Sequence, residues 1–395
     1  MSAGMLRARG ERRQRVTFME LFFDLVYVVA VTQLSQRLLE HLNVHGALQT
    51  FLLLLAVWSA WIYTAWITNW FDPDHPTIRL MLLGTMLVSL IMSATLPAAF
   101  GERGLLFAGA FVAIQVGRNL FVVAVLGSEP KLRRNFQRIL AWLVAGGMIW
   151  LVGGLAQGPA REALWIAAVI VDYTGPILGF FTPGLGRSET TEWTITGAHL
   201  AERCNLFLIV ALGESILVTG ATFGRQEFSA LALAALAVAF LGSVALWWIY
   251  FDRAAEASSE VIATSVDPGR LGRSAYTYFH LPMVAGIIVT AVGDELTIAQ
   301  PVGPASAVTI VVVLSGPALF LAGHALFKWA VFGHVSVPRV LAIIALAALA
   351  PVGLIVAPLT LASATVLVLA GVAAWDTWML RSTSPAHPLT TPHHQ

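Results

Sequence analysis

Charge is what this sequence has least of. Asp, Glu, Lys and Arg make up 11% of the 395 residues, where a soluble domain carries about 25%. Hydrophobic residues make up 57% and the mean hydropathy is +0.78. No soluble domain of useful size fits between the apolar runs, so the chain is expected to be an integral membrane protein. Cysteine is nearly absent: Cys204 stands alone, which excludes an intramolecular disulfide and any multi-cysteine metal site. The formal net charge of +1 gives no reason to expect a nucleic-acid partner. Also missing are a GxxxxGK phosphate loop, HExxH and GxSxG. No enzyme, cofactor or metal site is therefore expected, although two acids alone can do general acid–base work. Ten-residue alternation of the barrel type is missing too, which leaves helices as the means of crossing a bilayer.

What is present is a series of apolar segments. Twelve can be counted, at about 17–39, 47–70, 77–99, 104–126, 135–156, 162–183, 200–223, 229–251, 272–293, 305–329, 338–356 and 360–381, each near the ~20 residues that a spanning helix needs. The expected fold is all-α and polytopic. The first run lacks a small-residue cleavage site and holds Glu20 and Asp24, so it reads as a retained membrane helix and not a signal peptide. Most connections are short; 184–199 and 252–271 are longer and polar.

Basic residues give the orientation. With the N-terminus inside, the cytoplasmic side receives Arg7, Arg9, Arg12, Arg13, Arg15, Arg79, Lys131, Arg133, Arg134, Arg138, Arg187, Arg203, Arg253, Arg270, Arg273, Lys328, Arg339 and Arg381, which is 18 of 23. Arg37, Arg103, Arg161 and Arg225 fall outside, and Arg118 stays within a helix. Both ends are expected in the cytoplasm.

The chain also repeats itself. Gly117–Gly127 reads GRNLFVVAVLG and Gly323–Gly333 reads GHALFKWAVFG, with six of eleven positions shared. Trp61-Ile62-Tyr63 is answered by Trp248-Ile249-Tyr250, Glu20 by Glu202, and Asp172 by Asp376. Six helices per unit keeps both units in one orientation, related by an axis along the membrane normal. The expected organisation is a basic tail (1–16), a first repeat (17–183), a connection (184–199), a second repeat (200–381) and a C-terminal tail (382–395).

Ionisable groups deep in apolar segments face an interior or a cavity and pair with one another. That selects Glu20, Asp24, Arg118, Asp172, Glu202, Glu214, His280, His324 and Asp376 as candidates for an ion, proton or substrate pathway. Glu20 and Asp24 are four residues apart and share a helix face. Arg118 is expected to pair with Asp24 or Asp172, the acids nearest in depth. Static pairing would account for such a group without any transport. Asp24 and Glu214 are expected to face one shared polar interior. Glu214 has no obvious partner one turn away, which makes it the strongest functional candidate. Trp58, Trp61, Trp66 and Trp70 are expected in an interfacial aromatic belt, and His387, His393 and His394 in a solvated tail.

ELFFDLVYVVAVTQLS (Glu20–Ser35) and ERCNLFLIVALGESI (Glu202–Ile216) resemble the two signature stretches of the bacterial low-temperature-requirement A family. The resemblance implies a many-helix protein of the bacterial inner membrane. It implies no particular reaction. A fainter likeness is to two-repeat, six-helix-per-repeat potassium and proton channels, whose Arg…Phe-Ser-Asp motif is only partly matched by Phe22-Phe23-Asp24.

The repeats and buried acids favour a carrier or channel-like protein for a small solute or ion, coupled to protons, with the lipid bilayer as its constant partner. Two alternatives stay open. One is a non-transporting sensor or structural factor for growth in the cold. The other is an intramembrane lipid-modifying enzyme.

Overall fold

Several of the long apolar segments begin at a residue able to cap them. Thr17 forms a capping box with Glu20 at the start of α1 (Phe18–Glu40). Asn43 accepts from Gly46 N to open α2 (Val44–Trp70). His75 caps and Pro76 begins α3 (Pro76–Thr95), which a 3₁₀ turn over Leu96–Ala98 extends. The next span is α4 (Gly104–Val112), a π-helical turn at Ala113–Gly117 and α5 (Arg118–Val125). Prolines at the first turn start both α6 (Pro130–Leu155) and α7 (Gly158–Ile177).

The second half follows with α8 (Gly197–Arg225), α9 (Ala230–Phe251), α10 (Ala254–Thr264) and α11 (Pro268–Leu271). A π-helical stretch at Gly272–Tyr278 joins α11 to α12 (His280–Ala299). Then come α13 (Ala307–Phe332), α14 (Val337–Gly353) and α15 (Pro358–Thr383). Gly333 ends α13 in the left-handed conformation, φ 76°, which glycine adopts without a Cβ clash.

The computed structural model describes residues 4–7, 15–127, 129–193, 195–252 and 254–383. Arg9, Arg12, Arg13, Arg253, His387, His393 and His394 lie outside the described residues. Among those described there is no strand, only isolated bridges between Leu6 and Phe71 and between Thr182 and Gly186. Among the described residues ten helical stretches are long and apolar enough to cross a membrane. The 17-residue α14 falls short of that length. α7, which carries Arg161, Glu162 and Asp172, is not among the ten. The polar connection 252–271 is itself largely helical, as α10 and α11.

α1 packs against α2, α3 and α8; α3 against α4; α4 against α6; and α6 against α7. In the second half α8 packs against α9 and α12, α12 against α13, α13 against α14, and α14 against α15. Side chains such as Phe22, Leu25, Leu87, Leu106, Ile170, Leu217, Phe240, Val311 and Leu367 stay exposed. An apolar exterior of that extent suits hydrocarbon and not water.

Small residues set the closest approaches. A Cβ on Gly286 would lie 2.5 Å from Phe320 N, and one on Gly316 would lie 2.6 Å from Thr290 N. α12 and α13 therefore meet backbone to backbone, the packing that small residues permit between membrane helices.

Several residues counted as aqueous are buried. Arg203 and Arg339 are both 0% exposed. Arg37 and Arg161 are buried too and bond to carbonyls: Arg37 to Pro97 O, and Arg161 to Ala99, Gly101, Gly153, Gly154 and Ala156 O. Trp58 and Trp61 are not in an interfacial belt. Both are buried, and their indole N–H groups bond to Thr277 O and Asp24. Position in the segment alone sets these residues near the surface, whereas a hydrogen-bond partner on another segment draws each side chain inward.

Candidate functional site

The two resembling stretches, in α1 and α8, lie side by side. His199 Nε2 is 2.9 Å from Glu20 Oε1, Arg203 Nη2 is 2.7 Å from Asp24 Oδ1, and Ser35 Oγ is 3.4 Å from Glu214 Oε2. Each pair is separated by 179 positions. Contacts at a constant offset require the helices to run parallel and in register. Steps of 4 and 11 residues turn an α-helix by about 40° and 20° beyond whole turns, so all three pairs fall on one face of each helix. The seam spans fifteen residues, ~22 Å at 1.5 Å per residue.

One end of the seam is ionic and fully buried. Glu20 Oε2 accepts from Arg7 Nη2 at 2.9 Å and from Thr17 N. Arg7 reaches it because residues 4–7 run beside the end of α2, where Arg7 Nε also donates to Thr68 O. One turn deeper, Asp24 Oδ1 takes Trp61 Nε1 and Arg203 Nη2, both at 2.7 Å. The Arg203 guanidinium also faces the rings of Phe23 and Trp61, 5.9 and 5.8 Å away, a favourable cation–π geometry.

Beyond this layer the seam is apolar. Tyr27, Ala30, Val31 and Leu34 face Phe207, Leu208, Ala211 and Leu212, all buried. Glu214 then stands at the other end, 1% exposed, with Oε1 lacking any hydrogen-bond partner. Among the described residues no cation lies within 4.0 Å of it. Asp24 and Glu214 thus share a seam but not a chamber. The eleven residues from Arg203 to Glu214 put ~16 Å of packed apolar contact between the two layers.

The remaining candidates divide between two other clusters. In the first half, Arg118 donates to Thr64 Oγ1 at 2.6 Å and Ala60 O at 3.0 Å, and to Gln115 Oε1. It pairs with neither Asp24 nor Asp172. Asp24 is taken by Arg203 of the other half, and Asp172 Oδ2 accepts from Trp150 Nε1 at 2.9 Å. Proximity in depth within one half points to Arg118, but the side chains that bond to Asp24 come from α2 and α8.

In the second half, Tyr250 OH lies 2.8 Å from His280 Nε2 and 2.7 Å from Asn205 Oδ1, while His280 Nδ1 lies 3.0 Å from Ala275 O. His324 Nδ1 accepts from Arg339 Nε at 3.4 Å, and Arg339 grips Asp376 through both guanidinium nitrogens, at 2.9 and 2.5 Å. Glu202 does not take the place that Glu20 holds. It is exposed, lining a wide pocket of mixed polarity with Arg15, Asn205, Glu256 and Glu260. His199, three residues earlier, is the residue of α8 that meets Glu20.

Arg7, Trp61, His199, Arg203 and Arg339 were not among the expected pathway residues. Arg203 carried one usable signal. It lies four residues after His199, the same spacing as that from Glu20 to Asp24.

Among the described residues, ten apolar helices of crossing length with an apolar exterior are the features of a polytopic membrane protein. The chain belongs to the LtrA family: the model for Bacterial low temperature requirement A protein (LtrA) matches residues 15–374. It is 39% identical over 323 residues to an uncharacterized protein of Rhizobium meliloti (strain 1021), covering 80% of this chain and 78% of that one. No solved structure matches.

Proposed function

We propose that this chain is a carrier or channel-like protein that moves a small solute or ion across the bacterial inner membrane, coupled to protons through Glu214. The observation that carries this is the α1–α8 seam, with a buried carboxylate that has no cation at one end and a paired ionic layer at the other. A seam built only to hold helices together in lipid is served by small residues. An intramembrane acid left unpaired is costly and is the usual mark of a proton or ion pathway.

The accompanying architecture in this proposal is twelve helices in two parallel six-helix repeats, 17–183 and 200–381, with both ends cytoplasmic. The matching order of helix neighbours in the two halves supports it. So does the placing of the repeated motifs. Tyr63 stacks beside Arg118, 6.0 Å from the ring centre to the guanidinium, and Tyr250 lies 5.7 Å from His324. Those four residues are matched pairs in the sequence repeats. No reaction and no cofactor is assigned.

A non-transporting role has one observation in its favour, the tight apolar packing between the two layers of the seam. Reconstitution into liposomes with an internal pH-sensitive dye separates the two. Transport predicts a solute- or ion-dependent proton flux above that of empty vesicles. Its absence under every cation and anion gradient tried would favour the non-transporting role.

A further inference from the structure

Away from the seam, the second half holds two buried histidines whose partners fix them differently. His280 and His324 are both fully buried, and both rings pack against Phe327. Arg339 Nε lies 3.4 Å from His324 Nδ1. Guanidinium only donates, so that Nδ1 accepts and carries no hydrogen. His280 has other partners. Its Nδ1 is 3.0 Å from Ala275 O, a carbonyl that only accepts, so this Nδ1 carries a hydrogen in every state. Its Nε2 is 2.8 Å from Tyr250 OH, and the same hydroxyl is 2.7 Å from Asn205 Oδ1. Among the described residues no carboxylate lies within 4.0 Å of the ring. The other titratable groups about it are Tyr276, stacked on its face at 5.3 Å, and Cys204 of α8, whose Sγ bonds to Tyr276 O. His324 stands 5.7 Å from the Tyr250 ring, and the charges of Arg339 and Lys328 act on it.

Counting hydrogens along this chain gives two complete arrangements. The Tyr250 hydroxyl has one hydrogen and two neighbours. If the hydrogen goes to Asn205 Oδ1, His280 Nε2 must donate to the Tyr250 oxygen, and His280 is an imidazolium. If it goes to Nε2, His280 is neutral, and the Asn205 amide turns to donate from Nδ2. The two arrangements differ by one proton. Neither strands a polar atom of the chain, so neither carries the cost of an unmade bond. The chain also ends at an opening. Asn205 is half-buried and lines the wide pocket between α8 and α10, with Glu202, Glu256 and Glu260 against Arg15. Carboxylates in excess over guanidinium give the pocket a negative potential, which concentrates protons.

We propose that His280 is a proton-binding site, joined to this pocket through Tyr250 and Asn205. On uptake the Tyr250 hydrogen passes to His280 Nε2. The Tyr250 oxygen takes a proton from a hydronium ion of the pocket, and the renewed O–H turns to Asn205 Oδ1. The net change is one proton lost by hydronium and one gained by His280. The site is separate from the α1–α8 seam and from Glu214, and its test needs no transport.

The test is a pH titration of the full chain in detergent, labelled with ¹⁵N-histidine and followed by NMR over the range in which it stays folded. The His280 signals are those missing from His280→Gln. Wild type is expected to show a protonated Nδ1 and a bare Nε2 at alkaline pH, and reversible protonation of Nε2 as the pH falls. Asn205→Asp, once ionised, can accept from Tyr250 and cannot donate, so it favours the imidazolium. His280 should then be half-protonated at about 10-fold lower proton concentration. Tyr250→Phe leaves the imidazolium N–H without an acceptor and should need about 10-fold more acid. Shifts of opposite sign are not what a merely structural hydroxyl would give. Should Tyr250→Phe fail to fold, Asn205→Asp, which faces the open pocket, still decides. A His280 that stays neutral throughout, a neutral form protonated on Nε2, or an unchanged midpoint in Asn205→Asp would overturn the site, as would shifts of the same sign in the two variants.

Discussion

The two ends of the α1–α8 seam use the same residue types to opposite effect. At the Glu20–Asp24 end each acid meets a cation on or beside the partner helix, and Trp61 adds a third hand to Asp24. At the Glu214 end the acid meets hydroxyls and no cation: Ser35 at a long 3.4 Å, with Thr32 beside it. Burial is equal, since Asp24 is 2% and Glu214 1% exposed. What differs is the company. A buried acid with a cation is a fastener whose removal strands a charge. A buried acid without one has little to lose structurally when its charge is removed, and is free to exchange a proton.

That contrast orders the consequences of mutation. The largest loss belongs to Arg203→Leu, which leaves Asp24 buried and unpaired and should cost about 3–5 kcal/mol. Adding Asp24→Leu should recover much of it, because neither charge is then stranded. Unfolding midpoints of the single and double variants check this, and equal midpoints for the two would break the pairing. Arg339→Leu should cost less, about 2 kcal/mol, because its partner Asp376 is 23% exposed and can turn to solvent. A loss as large as that of Arg203→Leu would erase the distinction drawn from exposure. Trp61→Phe removes one of two donors to Asp24 while keeping an aromatic wall, and should cost about 1–2 kcal/mol. Ser35→Ala should be smallest, at or below about 1 kcal/mol, given the length of its bond. A larger effect would mean that Glu214 is held as firmly as Asp24.

Much of this was readable from the chain. The positions of the helices follow from apolar length, because a bilayer demands ~20 apolar residues wherever it is crossed. Glu20, Asp24 and Glu214 stand out for the same reason, since each interrupts an apolar run. Partners were harder to see. Arg203 and Arg339 lie near segment ends, where an arginine is ordinarily aqueous, and only the approach of α1 and of α15 buries them. Arg118 could be seen to need compensation, yet its contacts with Ala60 O and Thr64 depend on how α5 meets α2. The π-helical turn before it shifts the register that a uniform 3.6-residue period would give. Glu202 and His199 show the same limit at finer scale: letters that match between the halves do not say which residue of α8 touches Glu20.

The most direct measurement concerns Glu214. Glu214→Gln preserves shape and removes the charge, so its unfolding midpoint should stay close to wild type, within about 1 kcal/mol. In liposomes with a pH-sensitive dye inside, the account predicts that wild type supports proton-linked flux and that this variant abolishes it. Flux through Glu214→Gln at the wild-type rate, in protein of wild-type stability, would contradict the role assigned to that carboxylate.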